Sequence, residues 1–217
     1  MQRYYKDHTQ PISVIEISHH NKLVASAEGG DYPSIHVWDI ETRLNLVKFK
    51  RIHKHGIKLM RFLRNDRYLL TISESSKGGT VESPVVMLKL DTKEIVMSTF
   101  VKMEIIGISI WLDNPDKDGV ALLIGTSTVI TLAPSGRAFS LQRCDLKAER
   151  KDFNDIKAFV LHPRGFLITA HKGRELWRWD EKYSCSPIKY DPSNTREILQ
   201  IALIGEDLLL IMDEIDI

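Results

Sequence analysis

Histidines are the side chains of this sequence that are best suited to metal chemistry. His53 and His55 form a His-x-His pair, and His19 and His20 are adjacent. Two imidazoles can contribute to a metal site, but neither pair has cysteines or carboxylates beside it at ligand spacing. We therefore expect both pairs to lie in loops, and the sequence predicts no metal site.

The other reactive residues form no recognisable catalytic arrangement. Cys144 and Cys185 are interpreted as free thiols, with a disulfide or a metal site as the minor alternative. Asp152 and Asp155 fall in a charged connector that is interpreted as a solvated loop, and the acidic run at 213–216 is interpreted as a chain end, with a calcium site as the minor alternative. The sequence has neither a phosphate-binding glycine loop nor a Gly-x-Ser-x-Gly elbow. We therefore expect no enzyme, no catalytic residue and no cofactor. The alternative is an enzyme that uses the fold of this chain as its scaffold.

The charge balance and the apolar segments narrow the class of partner. The 217 residues carry 30 basic and 29 acidic side chains, a net charge of +1, which gives no bulk attraction to nucleic acid or to an anionic membrane. The apolar stretch at 198–212 is interrupted by Gln200 and by the polar run 205–207, so it is too broken to span a bilayer. Two cysteines fit a reducing compartment. We expect a cytoplasmic protein that binds other proteins.

Short β-like segments separated by turns must position these residues. The first group covers 13–17, 23–27, 35–38 and 46–49, and its short connections predict an antiparallel meander of four strands. The second segment is apolar at almost every position, which suits a strand covered on both faces. No helix of ordinary length is needed, so the sequence predicts an all-β fold.

The four-segment group recurs along the chain. The position after the third segment is Asp39, Asp91, Ser135 and Asp180 in turn, at spacings of 52, 44 and 45 residues. A polar insertion at 74–83 explains the longer first spacing. A period of roughly 40–45 residues with four strands per unit is typical of β-propeller blades. The predicted blades are 9–50, 54–100, 104–142, 155–191 and an incomplete fifth at 197–217 of a single propeller domain, 1–217.

Two segments carry the most specific motif. Residues 35–42 read IHVWDIET, and residues 176–180 read LWRWD. They resemble the strand of WD repeats that ends in Trp-Asp. The resemblance implies a structural network in which Trp38 and Ser26 join His8, with Asp31 as the candidate acid. It also assigns structural positions to further residues of the repeat: Asp39, Asp91, Trp177, Trp179 and Asp180.

The opening of the chain shows a closer resemblance. Residues 2–8 (QRYYKDH), 12–28 and IHVWDIET are similar to the first propeller of the echinoderm microtubule-associated protein-like family and of related ciliary WD-repeat proteins. The resemblance covers about the first 100 residues and weakens at 131–133, where a Trp is expected. It implies a non-catalytic scaffold of the cytoskeleton, cilium or flagellum, with tubulin, microtubules or axonemal proteins as partners. A general WD-repeat adaptor of another complex is the alternative.

Four units and half of a fifth leave the ring unfinished. Propellers have typically four to eight blades, so either a four-bladed ring closes or other residues complete a larger one. An incomplete ring exposes blade faces and an unpaired strand edge. We therefore expect a partner chain, or missing sequence, to cover the edge near Met212, and we expect the loops, including 74–83, to bind partners.

Overall fold

The computed structural model describes residues 5–63, 66–74, 81–110, 121–126, 128–135, 138–143, 155–180, 185–189, 197–205 and 208–213. Every regular element within these ranges is a β-strand. No helix in the described part is long and apolar enough to cross a membrane.

The strands form successive antiparallel sheets in chain order, four with four strands and a fifth with two. The bounds are, for the first sheet, β1 (Ile12–Ile17), β2 (Leu23–Glu28), β3 (Ile35–Asp39) and β4 (Asn45–Phe49); for the second, β5 (Ile57–Phe62), β6 (Tyr68–Ser73), β7 (Ser83–Lys89) and β8 (Glu94–Val101); for the third, β9 (Ile105–Ile110), β10 (Ala121–Gly125), β11 (Val129–Ser135) and β12 (Ala138–Arg143); for the fourth, β13 (Ile156–His162), β14 (Phe166–His171), β15 (Glu175–Trp179) and β16 (Cys185–Pro187); and for the fifth, β17 (Ile198–Ile204) and β18 (Leu208–Asp213).

Apolar side chains on both faces of the second strand explain why the sheets stack. In β2, Ala25 and Ala27 face the second sheet and are fully buried, whereas Val24 and Ser26 point the other way. β6, β10 and β14 are buried along almost their whole length, as the apolar run in each segment predicts. Both faces of these strands must therefore be covered by neighbouring structure.

Four apolar clusters hold the stack together, and each lies between two consecutive sheets. The first joins Ile35 and Val37 to the second sheet, and the last joins Ile168 to Ile198 and Ile201 of the fifth. The other two clusters join the second sheet to the third and the third to the fourth. Among the described residues, none of these clusters joins the fifth sheet to the first.

Two details differ from the sequence-based expectation. Within the predicted fourth blade, 155–191, the sequence favours a last strand at 187–190, but β16 is Cys185–Pro187, which pairs with Trp177 to Trp179. In the third group, the sequence favours a third strand at 129–132, but β11 continues to Ser135, which pairs with Ala138. Ser135 is therefore the last residue of its strand rather than the residue after it.

Candidate functional site

A side-chain network covers the face of the first sheet that points away from the second sheet. Trp38 donates its indole Nε1–H to Ser26 Oγ at 3.0 Å, and Ser26 Oγ lies 2.7 Å from His8 Nε2. His8 Nδ1 lies 3.2 Å from Glu28 Oε1. Residues of β2 and β3 can meet here because Ser26 pairs with His36 in the sheet, two positions from Trp38. The structure thus brings Trp38, Ser26 and His8 together.

The acid of this network is Glu28, so the expectation that Asp31 fills the position is wrong. Glu28 is buried, and burial by itself raises the pKa of its carboxyl group. Hydrogen bonds from Thr9, Ser34 and His8 outweigh burial and hold the pKa of Glu28 at about 2. Asp31 is instead exposed, and its Oδ1 lies 3.3 Å from Nδ1 of the partly buried His55 ring. The acid comes from the end of β2, where its backbone is fixed, rather than from the turn that follows.

In the fourth sheet, the hydroxyl and the histidine that pair with the tryptophan both come from one strand, β14. Trp179 is buried and donates Nε1–H to Thr169 Oγ1 at 2.8 Å, and Thr169 Oγ1 lies 2.8 Å from His171 Nε2. Trp177 donates to Glu175 at 3.3 Å and therefore has a different role from Trp179. By register, Trp179 matches Trp38, since Trp179 pairs with Leu167 and Trp38 with Val24.

The second sheet keeps half of the network, and sequence analysis missed it. His53 Nε2 lies 2.8 Å from Thr71 Oγ1, and both are buried. The spacing from His53 to Thr71 is 18 residues, the same as from His8 to Ser26. Leu88 occupies the register position of the tryptophan. The repeated spacing is the signal that could have separated His53 from His55, which lie in different environments despite their His-x-His motif.

The aspartates at or just beyond the ends of the third strands shape turns. Asp39 accepts hydrogen bonds from the Glu41 and Thr42 backbone amides at 3.1 and 2.8 Å, and the Thr42 bonds lower the pKa of Asp39. Asp91 accepts from the Thr92 amide at 2.7 Å. These side chains fix the turn into the fourth strand by accepting amide protons that a tight turn leaves without backbone partners.

Asp180 follows β15 directly, next to Cys185 of β16. Burial, with a smaller contribution from the negative charge of Asp180, raises the pKa of the Cys185 thiol. Cys185 is a free thiol, as predicted. Cys144 and Asp152 lie outside the described residues, as does most of the 74–83 insertion.

Residues 5–9, which precede β1, lie on the same face as the Trp38 network. The ring of Tyr5 stacks on Trp38 at a centroid distance of 4.7 Å, and its hydroxyl lies 2.7 Å from His36 Nδ1. His8 stacks on His36 at 4.0 Å. Tyr5 and His8 therefore cover part of this face of the first sheet with aromatic surface.

Outside the area that Tyr5 and His8 cover, apolar side chains are exposed at both ends of the stack of sheets. Ile15 and Ile17 share the face of Ser26 and Val24 by register and are 56% and 54% exposed. We call Ile15, Ile17 and the exposed Leu46 the first-sheet free face. On the fifth sheet, Ile204 and Met212 are 55% and 47% exposed and point away from the fourth sheet. We call these two residues the fifth-sheet free face.

A groove of about 420 Å³ runs beside the first strands of the sheets, where a propeller has its axis. Among the described residues of its lining, the charged side chains are Glu16 and Arg61, which form an ion pair at 2.6 Å. The Arg61 Nε–H also points at the Ile108 carbonyl, 3.5 Å away. The remaining polar side chains of the lining are His19 and Ser109. The ion pair ties β1 to β5 and leaves neither charge uncompensated.

The adjacent histidines His19 and His20 bind a single aspartate. Asp66 accepts the His19 backbone N–H at 3.0 Å, and its other oxygen lies 2.6 Å from His20 Nδ1. The His20 ring is mostly exposed. This contact joins the β1–β2 turn to the β5–β6 turn, which agrees with the loop role expected for the pair.

Solved structures with the same architecture identify the fold. No protein-family profile matches the sequence. The WD40 domain of SCAP from fission yeast matches 95% of this chain and 48% of its own chain, with a TM-score of 0.67 and 13% identity. The Cps50 (Swd1) β-propeller domain of Myceliophteria thermophila matches 95% of this chain and 63% of its own, with a TM-score of 0.66 and 15% identity. The chain thus spans about half to under two-thirds of these structures. The predicted all-β fold, a WD40 β-propeller with four blades and part of a fifth, is confirmed.

Proposed function

We propose that this chain is a non-catalytic protein-binding scaffold and that its first-sheet and fifth-sheet free faces are contact surfaces for other protein. The observation that carries the proposal is the pair of exposed apolar faces. Each of the inner sheets has both faces packed in apolar clusters. Only the two end sheets, among the described residues, keep one face without such a cluster.

The exposed side chains favour protein as the covering material. Ile15, Ile17, Ile204 and Met212 are each about half exposed, and burying apolar surface gains about 25 cal/mol per Å². Contiguous apolar surface of this kind marks binding sites in soluble proteins. The net charge of +1 gives no general attraction to nucleic acid or an anionic membrane. A further blade, from a partner chain or from additional sequence, is the natural cover for the face near Met212.

The resemblance of the first 100 residues to microtubule-associated propellers supports a finer proposal. We place the scaffold on the cytoskeleton, in a cilium or flagellum, with tubulin or an axonemal protein as the partner. Tyr5 and His8, which belong to the resembling N-terminal segment, both lie on the first sheet. A WD-repeat adaptor in another cytoplasmic complex is the second candidate, and it needs the same exposed faces.

The contact surface on the first sheet is tested by making the first-sheet free face polar. The double variant Ile15→Ser and Ile17→Ser should lose bound partner in a pull-down, or self-association in light scattering, and should bind less of an apolar dye. Ile95→Ser is the matched control, because Ile95 is 51% exposed on the outer strand β8 and belongs to neither face. A wild-type chain that is monomeric, binds no dye and captures no protein contradicts the proposal.

The finer proposal is tested separately. We expect the full chain to co-sediment with microtubules and to localise to an axoneme. Mass spectrometry of the captured proteins distinguishes the two candidates, since the adaptor predicts components of an unrelated complex. A diffuse cytosolic pool with no tubulin association contradicts the cytoskeletal assignment and leaves the scaffold proposal to the free-face experiment.

A further inference from the structure

We propose that the region from the end of β4 to the start of β5 is a binding surface for an acidic polypeptide segment. The sequence between Glu41 and Asp66 contains eight basic residues and no acidic one, whereas the whole chain is almost balanced, with 30 basic and 29 acidic side chains. The net charge of +1 therefore conceals a local concentration of positive charge. Such a concentration attracts a ligand of opposite charge even when the whole protein is nearly neutral.

Four of these cations are exposed and lack an ion-pair partner among the described residues. The two exposed cations within β5 differ from them, because Arg61 is paired with Glu16 and Lys58 with Glu104. The four unpaired cations, which we call the basic connector, are Lys48, Lys50, Arg51 and Lys54. Their charge is available to a ligand, since no carboxylate in the described part of the chain neutralises it.

The backbone that carries the basic connector is held in place by buried neighbours. Ile52 packs against the first apolar cluster, and the buried ring of His53 is bonded to Thr71. The Lys54 carbonyl accepts the Tyr32 N–H at 2.9 Å. The charged side chains therefore extend from a backbone that is already ordered, so a ligand does not have to order it on binding.

Protection of a strand edge explains only one of the four cations. Lysine on an edge strand discourages pairing with another strand, and β4 is an edge strand of the first sheet, which accounts for Lys48. Lys50, Arg51 and Lys54 lie beyond the end of β4, where there is no strand edge to protect. Asp31, in the turn beside the connector, is bound to His55 and not to these three cations.

The composition of the connector favours a short acidic polypeptide over nucleic acid or a membrane. Proteins on duplex DNA commonly neutralise about 6–10 phosphates, which exceeds the four cations of this surface. Ile52 packs inward, so no apolar side chain between Lys50 and Gly56 is exposed for insertion into a membrane. A short run of aspartate or glutamate needs only a few pairs, and the Arg51 guanidinium can donate two hydrogen bonds to one carboxylate.

Binding of an oligoglutamate peptide to the full-length chain tests the proposal. A fluorescently labelled peptide should bind, as measured by anisotropy, and its affinity should fall as salt is added, because salt screens exposed charges. The triple variant Lys50→Glu, Arg51→Glu and Lys54→Glu should weaken binding at least about tenfold. Circular dichroism should show that the variant is folded, because all three side chains are exposed.

A second triple variant controls for the change in net charge. Lys22→Glu, Lys93→Glu and Lys172→Glu alter three exposed lysines in other turns and change the net charge by the same amount. This control should bind the peptide within about twofold of wild type, because screening limits the effect of distant charges.

Three outcomes overturn the proposal. The first is that oligoglutamate does not bind to the wild-type chain. The second is that both triple variants weaken binding equally, which would show that only net charge matters. The third is that a DNA duplex or phosphatidylserine vesicles bind more tightly than the peptide, which would assign the surface to another class of ligand. The basic connector shares no residue with either free face, so none of these outcomes decides the scaffold proposal.

Discussion

The first and fourth sheets bury a tryptophan at the same register position, yet they satisfy its indole differently. In the fourth sheet, Trp179, Thr169 and His171 belong to two adjacent strands of one hairpin. In the first sheet, the histidine that completes the network is His8, which precedes β1 in the chain. The network of the fourth sheet therefore stiffens a hairpin, whereas that of the first sheet also fastens a separate segment to a blade.

The first and fourth sheets also differ in the residue that occupies a second register position. His36 pairs with Ser26, and Trp177 pairs with Thr169, so these residues occupy equivalent sites. The fourth sheet places an apolar ring there, beneath neighbouring structure. The first sheet places a titratable ring there, stacked against His8. Equivalent positions in a repeat can thus serve packing in one copy and polar chemistry in another.

The largest expected effect follows from the difference in burial between the two tryptophans. Trp179 is 1% exposed, and Trp179→Ala should lower the free energy of unfolding by about 3–5 kcal/mol. Trp38 is only partly buried, so Trp38→Ala should cost about 1–2 kcal/mol. Urea denaturation followed by far-ultraviolet circular dichroism measures both. Equal losses would show that the two tryptophans are equally buried in solution.

Lowering the pH should destabilise the folded chain through the first sheet. The expected loss of stability lies between those of the other two predictions. The pKa of His36 is about 4 in the folded chain against an ordinary value of 6.5, so only the unfolded chain takes up this proton between those values. Stability is therefore complete above pH 6.5 and falls as the pH drops toward 4, by about 2 kcal/mol at pH 5.

His53, whose pKa burial lowers to about 4, adds to the same loss. Unfolding of wild-type chain and of His36→Gln at pH 7 and pH 5 measures the contribution of the first sheet. Trp177, the equivalent residue of the fourth sheet, cannot titrate. His36→Gln should therefore lose less stability than wild type between pH 7 and pH 5. An equal loss in the two chains would show that His36 is not the source of the loss.

The smallest expected effect compares the two hydroxyl groups that accept the indole protons. Ser26→Ala and Thr169→Val each remove one acceptor and should each cost about 1–2 kcal/mol. Only Ser26→Ala should also release the segment that contains His8. Trypsin cleavage at the exposed Lys6 should therefore be faster in Ser26→Ala than in wild type and unchanged in Thr169→Val. Equal cleavage of the two variants would contradict a fastening role for the first network.

Sequence patterns predict the strands of the first four sheets well, because the second strand of each of these sheets is buried on both faces and reads as a largely apolar run. Trp38 and Trp179 stand out since tryptophan is rare and precedes aspartate in both units. The second and third sheets lose that signal, because leucines, Leu88 and Leu132, fill the equivalent position. A leucine needs no hydrogen-bond partner, so of the polar network the second sheet keeps only His53 and Thr71.

The candidate site is less predictable because its residues meet only through register. Glu28 lies at the end of an apolar strand, where a carboxylate is unexpected, and Asp31 in the next turn appears the better acid until the backbone is placed. His36 lies between apolar neighbours in β3, and its hydrogen-bond partner Tyr5 is 31 residues away in the chain. Distances of this kind depend on the fold and cannot be obtained from spacing alone.

Every apolar cluster is shared between two neighbouring sheets, and this determines how the chain can fold. A single sheet has no core of its own, so an isolated sheet cannot outweigh the entropy cost of ordering it. The inner sheets are each held by two shared clusters, whereas the first and fifth are held by one. Folding is then a nearest-neighbour process that can nucleate at any adjacent pair and spread outward, and unfolding proceeds inward from the ends of the stack.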